Sequence, residues 1–549
     1  MATVGNRAII EQFIADGMTH MFGNPGTVEQ GFLDVLREYP ELKYVLGLQE
    51  SVCVAMADGY ARATNRPALV QLHSGVGLGN GVGMLYQALR GHAPLVVIAG
   101  DSGLRYEALE AQMAADLVAM AEPVTKWATR VTEPGSVLRV LRRAVKTALT
   151  PPRGPVFVAL PLDVLDAVNG EAVFPTVVPH LAGAPAPELL DRAARLLAPA
   201  RRPLILIGDG VAAAGAQRQV AAIAERWGAE VWDVDGGEMN IDARHPLYRG
   251  QLGHMFGHVS AAAVAEADGV LIVGTYVFPE VFPALDDPFR PGAPVVHLDQ
   301  DAGQIARNHP VALGLVGDPA AGLAALDAEL ARAMDASATL AASGRGAAAE
   351  AAAARREPAP DTLADRFFAA VARTAPEDLV VFDEALTASP ALNRHLPARL
   401  PKHWFQTRGG SLGVGIPGAL GVALAMPGKT VLGVTGDGGS MYTFQALASA
   451  ARYRIGAKFV VCNNGRYRLL DDNLGQYRRE RGLGPHPLPE AFDLAAPRLG
   501  FTELAAGLGV AATRVERPDQ IEPAVRRMFA DREPFLVDLD TRPEGEVTP

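Results

Sequence analysis

The residues of this 549-residue chain best suited to chemistry are Asp437, in Gly436-Asp437-Gly438, and Asn464, 27 positions later in Cys462-Asn463-Asn464-Gly465-Arg466. Each piece closes an apolar run, 430–434 and 459–462, so a carboxylate and an amide oxygen project from the ends of two strands. The glycine turn opens a stretch with helical spacing, 440–453. Backbone N–H groups at a helix start bind anionic oxygens, and glycines let the backbone approach closely. A hard cation bridging two phosphate oxygens takes oxygen ligands. Asp437, Asn464 and the carbonyl of Arg466, with two phosphate oxygens and a water, complete the octahedron that magnesium requires. Gly208-Asp209-Gly210 repeats the first piece, but no Asn-Asn follows at that distance, so it reads as a plain turn.

A second candidate lies far away in the chain. The apolar run 44–48 ends in Gln49-Glu50, and residues 51–62 place small and apolar side chains at helical spacing. Glu50 stands where a strand hands over to a buried helix. Such a glutamate is favoured by the helix dipole and is equally a candidate for proton chemistry.

Together these motifs resemble the thiamine diphosphate-dependent decarboxylase and acetolactate synthase family. The resemblance implies thiamine diphosphate and Mg2+ as cofactors, with Asp437, Asn464 and Arg466 as metal ligands and Gly438 and Gly439 in the diphosphate turn. It makes Glu50 the acid that hydrogen-bonds the cofactor's pyrimidine and favours its imino tautomer. In Arg408-Gly409-Gly410-Ser411-Leu412 the family roles fall to Gly410, whose carbonyl meets the ring amine, and Leu412, which wedges the cofactor into a bent form. Thr387, in Asp383-Glu384-Ala385-Leu386-Thr387, is a further diphosphate contact by the same likeness.

Two segments resemble benzoylformate decarboxylase most closely: the turn Phe22-Gly23-Asn24-Pro25-Gly26-Thr27 and the glycine-rich loop from Leu72-His73-Ser74-Gly75 to Asn80. They offer Thr27 and His73 to the substrate. A hydroxyl can orient a departing carboxylate, and a histidine can relay a proton at neutral pH. Two departures stand against that likeness. Residues 274–282 lack the central-domain histidine of the decarboxylase; His254 and His258 lie in the nearby loop 251–258, where His258 is either its replacement or a surface-loop histidine. Residues 467–473 put Arg468, Asp471 and Asp472 where the family lines its substrate cavity, which argues against a purely aryl pocket.

The elements that must position these residues follow from the apolar runs. Three sets appear: 44–48, 68–72, 95–99 and 156–160; 203–207, 230–234, 270–273 and 295–298; 379–382, 430–434, 459–462 and 535–537. Short β-branched runs alternating with helical patterns predict three consecutive parallel-sheet α/β domains. Their bounds are 1–175 (pyrimidine-binding in the family), 188–340 (central) and 361–549 (diphosphate-binding). A Pro/Ala-rich linker, 175–187, and an Ala-rich one, 341–360 with Pro358 and Pro360 at its end, separate them.

A net charge of −11 without a strong basic cluster argues against a nucleic-acid partner. Cys53 and Cys462, both in apolar segments, form neither a disulfide framework nor a zinc pattern. No apolar stretch long enough to span a membrane and no apolar signal region is present, so the expected location is the cytoplasm. The family resemblance implies a small 2-oxo acid substrate and an active site shared between subunits, hence a homodimer at minimum, with a homotetramer as the fuller expectation. It leaves open simple decarboxylation to an aldehyde, a carboligase or acyl-CoA lyase activity, and a non-catalytic cofactor-binding subunit.

Overall fold

Strands buried on both faces need continuous apolar runs, and the chain supplies them in three groups. In the computed structural model, which describes residues 3–354, 361–484 and 486–542, each group becomes a six-stranded parallel sheet flanked by helices. The first contains β1 (His20–Gly23), β2 (Lys43–Leu46), β3 (Ala68–His73), β4 (Leu95–Asp101), β5 (Trp127–Arg130) and β6 (Val156–Pro161), in the order β2-β1-β3-β4-β6-β5. The second contains β7 (Pro203–Ile207), β8 (Glu230–Val234), β9 (Tyr248–Leu252), β10 (Gly269–Val273), β11 (Val295–Asp299) and β12 (Leu313–Val316), in the order β9-β8-β7-β10-β11-β12. The third contains β13 (Val380–Glu384), β14 (Trp404–Gln406), β15 (Val431–Gly436), β16 (Lys458–Asn463), β17 (Ala511–Val515) and β18 (Phe535–Asp540), in the order β14-β13-β15-β16-β18-β17. The first and third sheets therefore share one strand order, while the second is wound outward from its first strand.

The first sheet and all of the third except β14 belong to one compact unit, and the second sheet belongs to another. Within the first unit, helix Glu50–Thr64 lies directly on helix Gly415–Ala425. A Cβ at Gly59 would run into the carbonyl of Gly418, and one at Gly421 into the carbonyl of Met56. Backbone contact this close requires glycine at both points and fixes the helix that begins at Glu50. Within that helix, Asp58 and Arg62 form a buried ion pair at 3.6 Å.

Three local expectations are corrected. Residues 74–80 are not a loop but the first turns of helix Ser74–Arg90; Gly77 and Gly81 face Glu50, so packing overrides glycine's poor helix propensity. The span 440–453 is not continuous: a short helix Asp437–Ser440 gives way to turns before helix Ala446–Tyr453, and the Thr443 hydroxyl donates to the Gly413 carbonyl in the gap. Gly208-Asp209-Gly210 opens helix Asp209–Ala214, and the Asp209 carboxylate accepts the N–H groups of Gly237 and Glu238. Most of the Ala-rich linker lies in helix Ala336–Ala353; its positions 355–360, with Pro358 and Pro360, lie outside the described residues. Among the described residues no helix is long and apolar enough to cross a membrane.

Candidate active site

Glu50 is the first residue of its helix and is 6% exposed. The amide of Asn24, from the turn after β1, donates to its Oε1 at 3.2 Å, and the amide of Asn80 donates to its Oε2 at 3.0 Å. Asn24 is itself anchored, because its carbonyl accepts the Gln71 amide at 3.3 Å and the Tyr44 hydroxyl donates to Gln71 at 2.6 Å. Gly77 lies between the two candidate residues of this region: a Cβ there would stand 3.3 Å from both Glu50 Oε1 and His73 Cβ. Glu50 and His73 thus flank a single point. Thr27 is exposed in the same turn as Asn24. Asn24 and Asn80 escape sequence reasoning because only the folded sheet brings the turn after β1 and the helix after β3 to Glu50.

The second cluster sits at the ends of β15 and β16, which pair with Gly436 opposite Cys462. Asp437 is 4% exposed and accepts the N–H of Gly465 at 2.6 Å and its own neighbour Gly438 at 2.8 Å. Burial pushes its carboxyl up to about 6, against those donors. Asn464 Oδ1 accepts the Arg466 N–H at 2.9 Å, closing a turn that keeps the amide oxygen at the strand end. The Arg466 side chain turns away to Asp471, 2.8 Å off.

This donor set fits the group the motifs imply. It offers one carboxylate, one amide oxygen and a backbone carbonyl, the hard oxygen ligands magnesium takes. Among the described residues no group of three or more His, Cys, Asp or Glu side chains could hold a metal, so a cation at Asp437 would draw its other ligands from amide, backbone and phosphate oxygens. A Cβ at Gly436 or Gly410 would meet nothing within 4 Å, which leaves room on that side of both turns. Gly438 has a nearer reason to be glycine, since the Tyr467 ring lies over it, and Gly439 backs onto the Thr435 hydroxyl.

Gly410 adopts a left-handed backbone, φ 72°, that favours glycine, and Leu412 is half-buried. What holds their loop is Glu384, fully buried at the end of β13. Its carboxylate accepts the N–H groups of Gly413, Val414 and Gly415 and the Thr435 hydroxyl. Burial nevertheless raises its carboxyl to about 7. The sequence signal is present in Asp383-Glu384 at a strand end, but the partners lie 29 to 51 residues on. Thr387 is exposed in the following turn.

Helix Arg468–Glu480 buries none of its residues fully; Asp471 is turned to Arg466, while Asp472 is exposed. In the second unit His254 pairs with Asp235 at 3.2 Å, and His258 is exposed at the start of helix Gly257–Val264, its ring beside Phe256. Cys53 and Cys462 are buried, and burial raises both thiols.

Three family models match the chain: the thiamine pyrophosphate enzyme N-terminal TPP binding domain over residues 3–120, the central domain over 190–326 and the C-terminal TPP binding domain over 387–539. The chain is 34% identical over 547 residues to a benzoylformate decarboxylase of Pseudomonas aeruginosa, with 96% of each chain covered. It is 26% identical over 575 residues to an acetolactate synthase of Arthrospira platensis, covering 99% of this chain and 95% of the relative. A solved structure, the thiamine diphosphate-dependent 4-hydroxybenzoylformate decarboxylase of Rhodococcus jostii RHA1, matches with a TM-score of 0.84 at 27% identity, covering 98% of this chain and 99% of that one.

Proposed function

This chain belongs to the thiamine pyrophosphate enzyme family, and we propose that it performs the Mg2+-dependent, non-oxidative decarboxylation of a 2-oxo acid to an aldehyde, as its benzoylformate decarboxylase relative is named for doing. The observation that carries this reading is that Glu50 and His73 both pack against Gly77, the carboxylate of one and the Cβ of the other each 3.3 Å from where a Cβ there would stand. Thiamine diphosphate, when bound, supplies the electron sink for the pair left behind as carbon dioxide departs.

The chain's own residues position, exclude and manage protons. Asp437, Asn464 and the Arg466 carbonyl would hold the cation, with Gly438, Gly439 and Thr387 lining the diphosphate end. The Gly410 carbonyl would accept from the cofactor's ring amine, and Leu412 would pack against the cofactor. Glu50 would hydrogen-bond the pyrimidine, and the Asn24 and Asn80 amides hold its two oxygens in place. Thr27 orients the substrate carboxylate. His73 would deliver a proton to the carbon from which carbon dioxide has departed. The working protein is a cytoplasmic homodimer at minimum, with a homotetramer as the fuller assembly.

The test is carbon dioxide release by the purified protein with thiamine diphosphate and magnesium, over aromatic, aliphatic and acidic 2-oxo acids, with aldehyde measured in parallel. Equal carbon dioxide and aldehyde is the expected result. Carbon dioxide without aldehyde would replace this reading with a carboligase. Cofactor binding without release on any substrate would replace it with a lyase of another substrate or a non-catalytic subunit.

A further inference from the structure

His73, the last residue of β3, does not stand alone. Its Nδ1 lies 3.0 Å from Oε2 of Glu29, and the other oxygen of Glu29 accepts the backbone N–H of Gly100 at 2.8 Å. Glu29 is 2% exposed, and burial raises its carboxyl above the ordinary carboxylate range while His73 and the Gly100 amide pull the other way. The chain makes room for this pair at two points. A Cβ at Gly26 would fall inside the His73 ring, and a Cβ at Gly100 would fall on the Glu29 carboxylate. Both glycines lie in otherwise ordinary backbone, with no positive φ at either, so what they provide is space for the carboxylate and the ring.

We propose that Glu29 is a positioning residue for His73: its carboxylate holds the proton on Nδ1, leaves Nε2 as the exchanging nitrogen, and offsets the positive charge when Nε2 carries a proton. The Gly100 N–H can only donate, so Oε1 is committed as an acceptor and Oε2 is left to meet Nδ1. A carboxylate there selects the Nδ1–H tautomer. A proton taken up at Nε2 then makes an imidazolium paired at 3.0 Å with an anion, a net-neutral couple suited to a site with little water. When Nε2 gives that proton back, the pair returns to its starting state. This inference rests on the reading of His73 as the proton relay.

Histidine-selective 15N labelling of the full-length protein reads the tautomer without turnover. Wild type is expected to show His73 protonated at Nδ1. Glu29→Gln keeps the shape but presents an N–H to Nδ1, and is expected to move the proton to Nε2 while lowering kcat at least about tenfold, with a smaller change in KM. His73→Ala is expected to lose as much, and Glu29→Gln added to it no more. A wild-type His73 protonated at Nε2 would overturn the proposal even if the variant failed to fold. A slow His73→Ala beside a fully active Glu29→Gln would overturn it for Glu29 alone, whereas a fully active His73→Ala would remove the proton-relay reading on which it rests.

Discussion

Oδ2 of Asp437 accepts the backbone N–H of Gly465 at 2.6 Å. That single bond joins the glycine turn after β15 to the Asn-Asn turn after β16, so two motifs separated by 27 residues form one edge. Parallel pairing brings the strands alongside each other, and the carboxylate sets how their ends meet. Asp437 therefore carries two tasks: it shapes the turn and presents oxygen to a cation.

Asp437→Ala is expected to lower magnesium-dependent affinity for thiamine diphosphate at least about 100-fold, beyond the 10–100-fold typical of residues that only support metal ligands. Cofactor titration by calorimetry with and without magnesium measures it. Unchanged affinity with a native circular dichroism spectrum would remove Asp437 from the metal site.

Glu50→Gln separates binding from activation. The amides of Asn24 and Asn80 can still hold one oxygen of the glutamine, so the cofactor should bind within a few-fold of wild type. Turnover should fall by about 10²–10⁴, the usual worth of an acid or base in the transition state. Single-turnover carbon dioxide release decides it, and full activity would move the activating role to another residue.

How much of this was legible in the chain depended on where each strand lies. Most inner strands of the three sheets, such as β4 and β16, carry apolar runs that read directly from the sequence. The unread strands β5, β9, β12, β14 and β17 are all sheet edges. An edge strand has water along one side and needs no continuous apolar run; β9 reads Tyr-Arg-Gly-Gln-Leu. Only β1 was missed in a sheet interior, because its four residues run straight into Gly-Asn-Pro-Gly. The site followed the same logic. Asp437 and Asn464 sit at strand ends that the motif itself spaces, whereas Glu29, Asn24, Asn80 and Glu384 acquire meaning only from tertiary partners.

Cys53 and Cys462 are expected to be inert in the folded protein. Both thiols are buried and raised by that burial, and it is the thiolate that reacts. A chromogenic disulfide reagent at neutral pH should titrate neither thiol in native protein and both after denaturation. A rapid native reaction would contradict their burial.

Glu384 gives the protein a pH dependence whose sign can be fixed. Its folded carboxyl stands at about 7 against an ordinary 4.5. Between those values the folded chain keeps a proton that the unfolded chain has released, so the contribution is whole below about 4.5 and is lost as pH rises through about 7, at no more than about 1.4 kcal/mol per pH unit. Asp383 beside it, raised to about 6 by burial, adds in the same sense. Glu384→Gln has no proton to lose. The melting temperature of wild type relative to Glu384→Gln, measured without cofactor, should therefore fall between pH 5 and pH 7.5. A rise would mean that the three N–H groups of Gly413, Val414 and Gly415, with the Thr435 hydroxyl, outweigh burial and hold Glu384 as an anion.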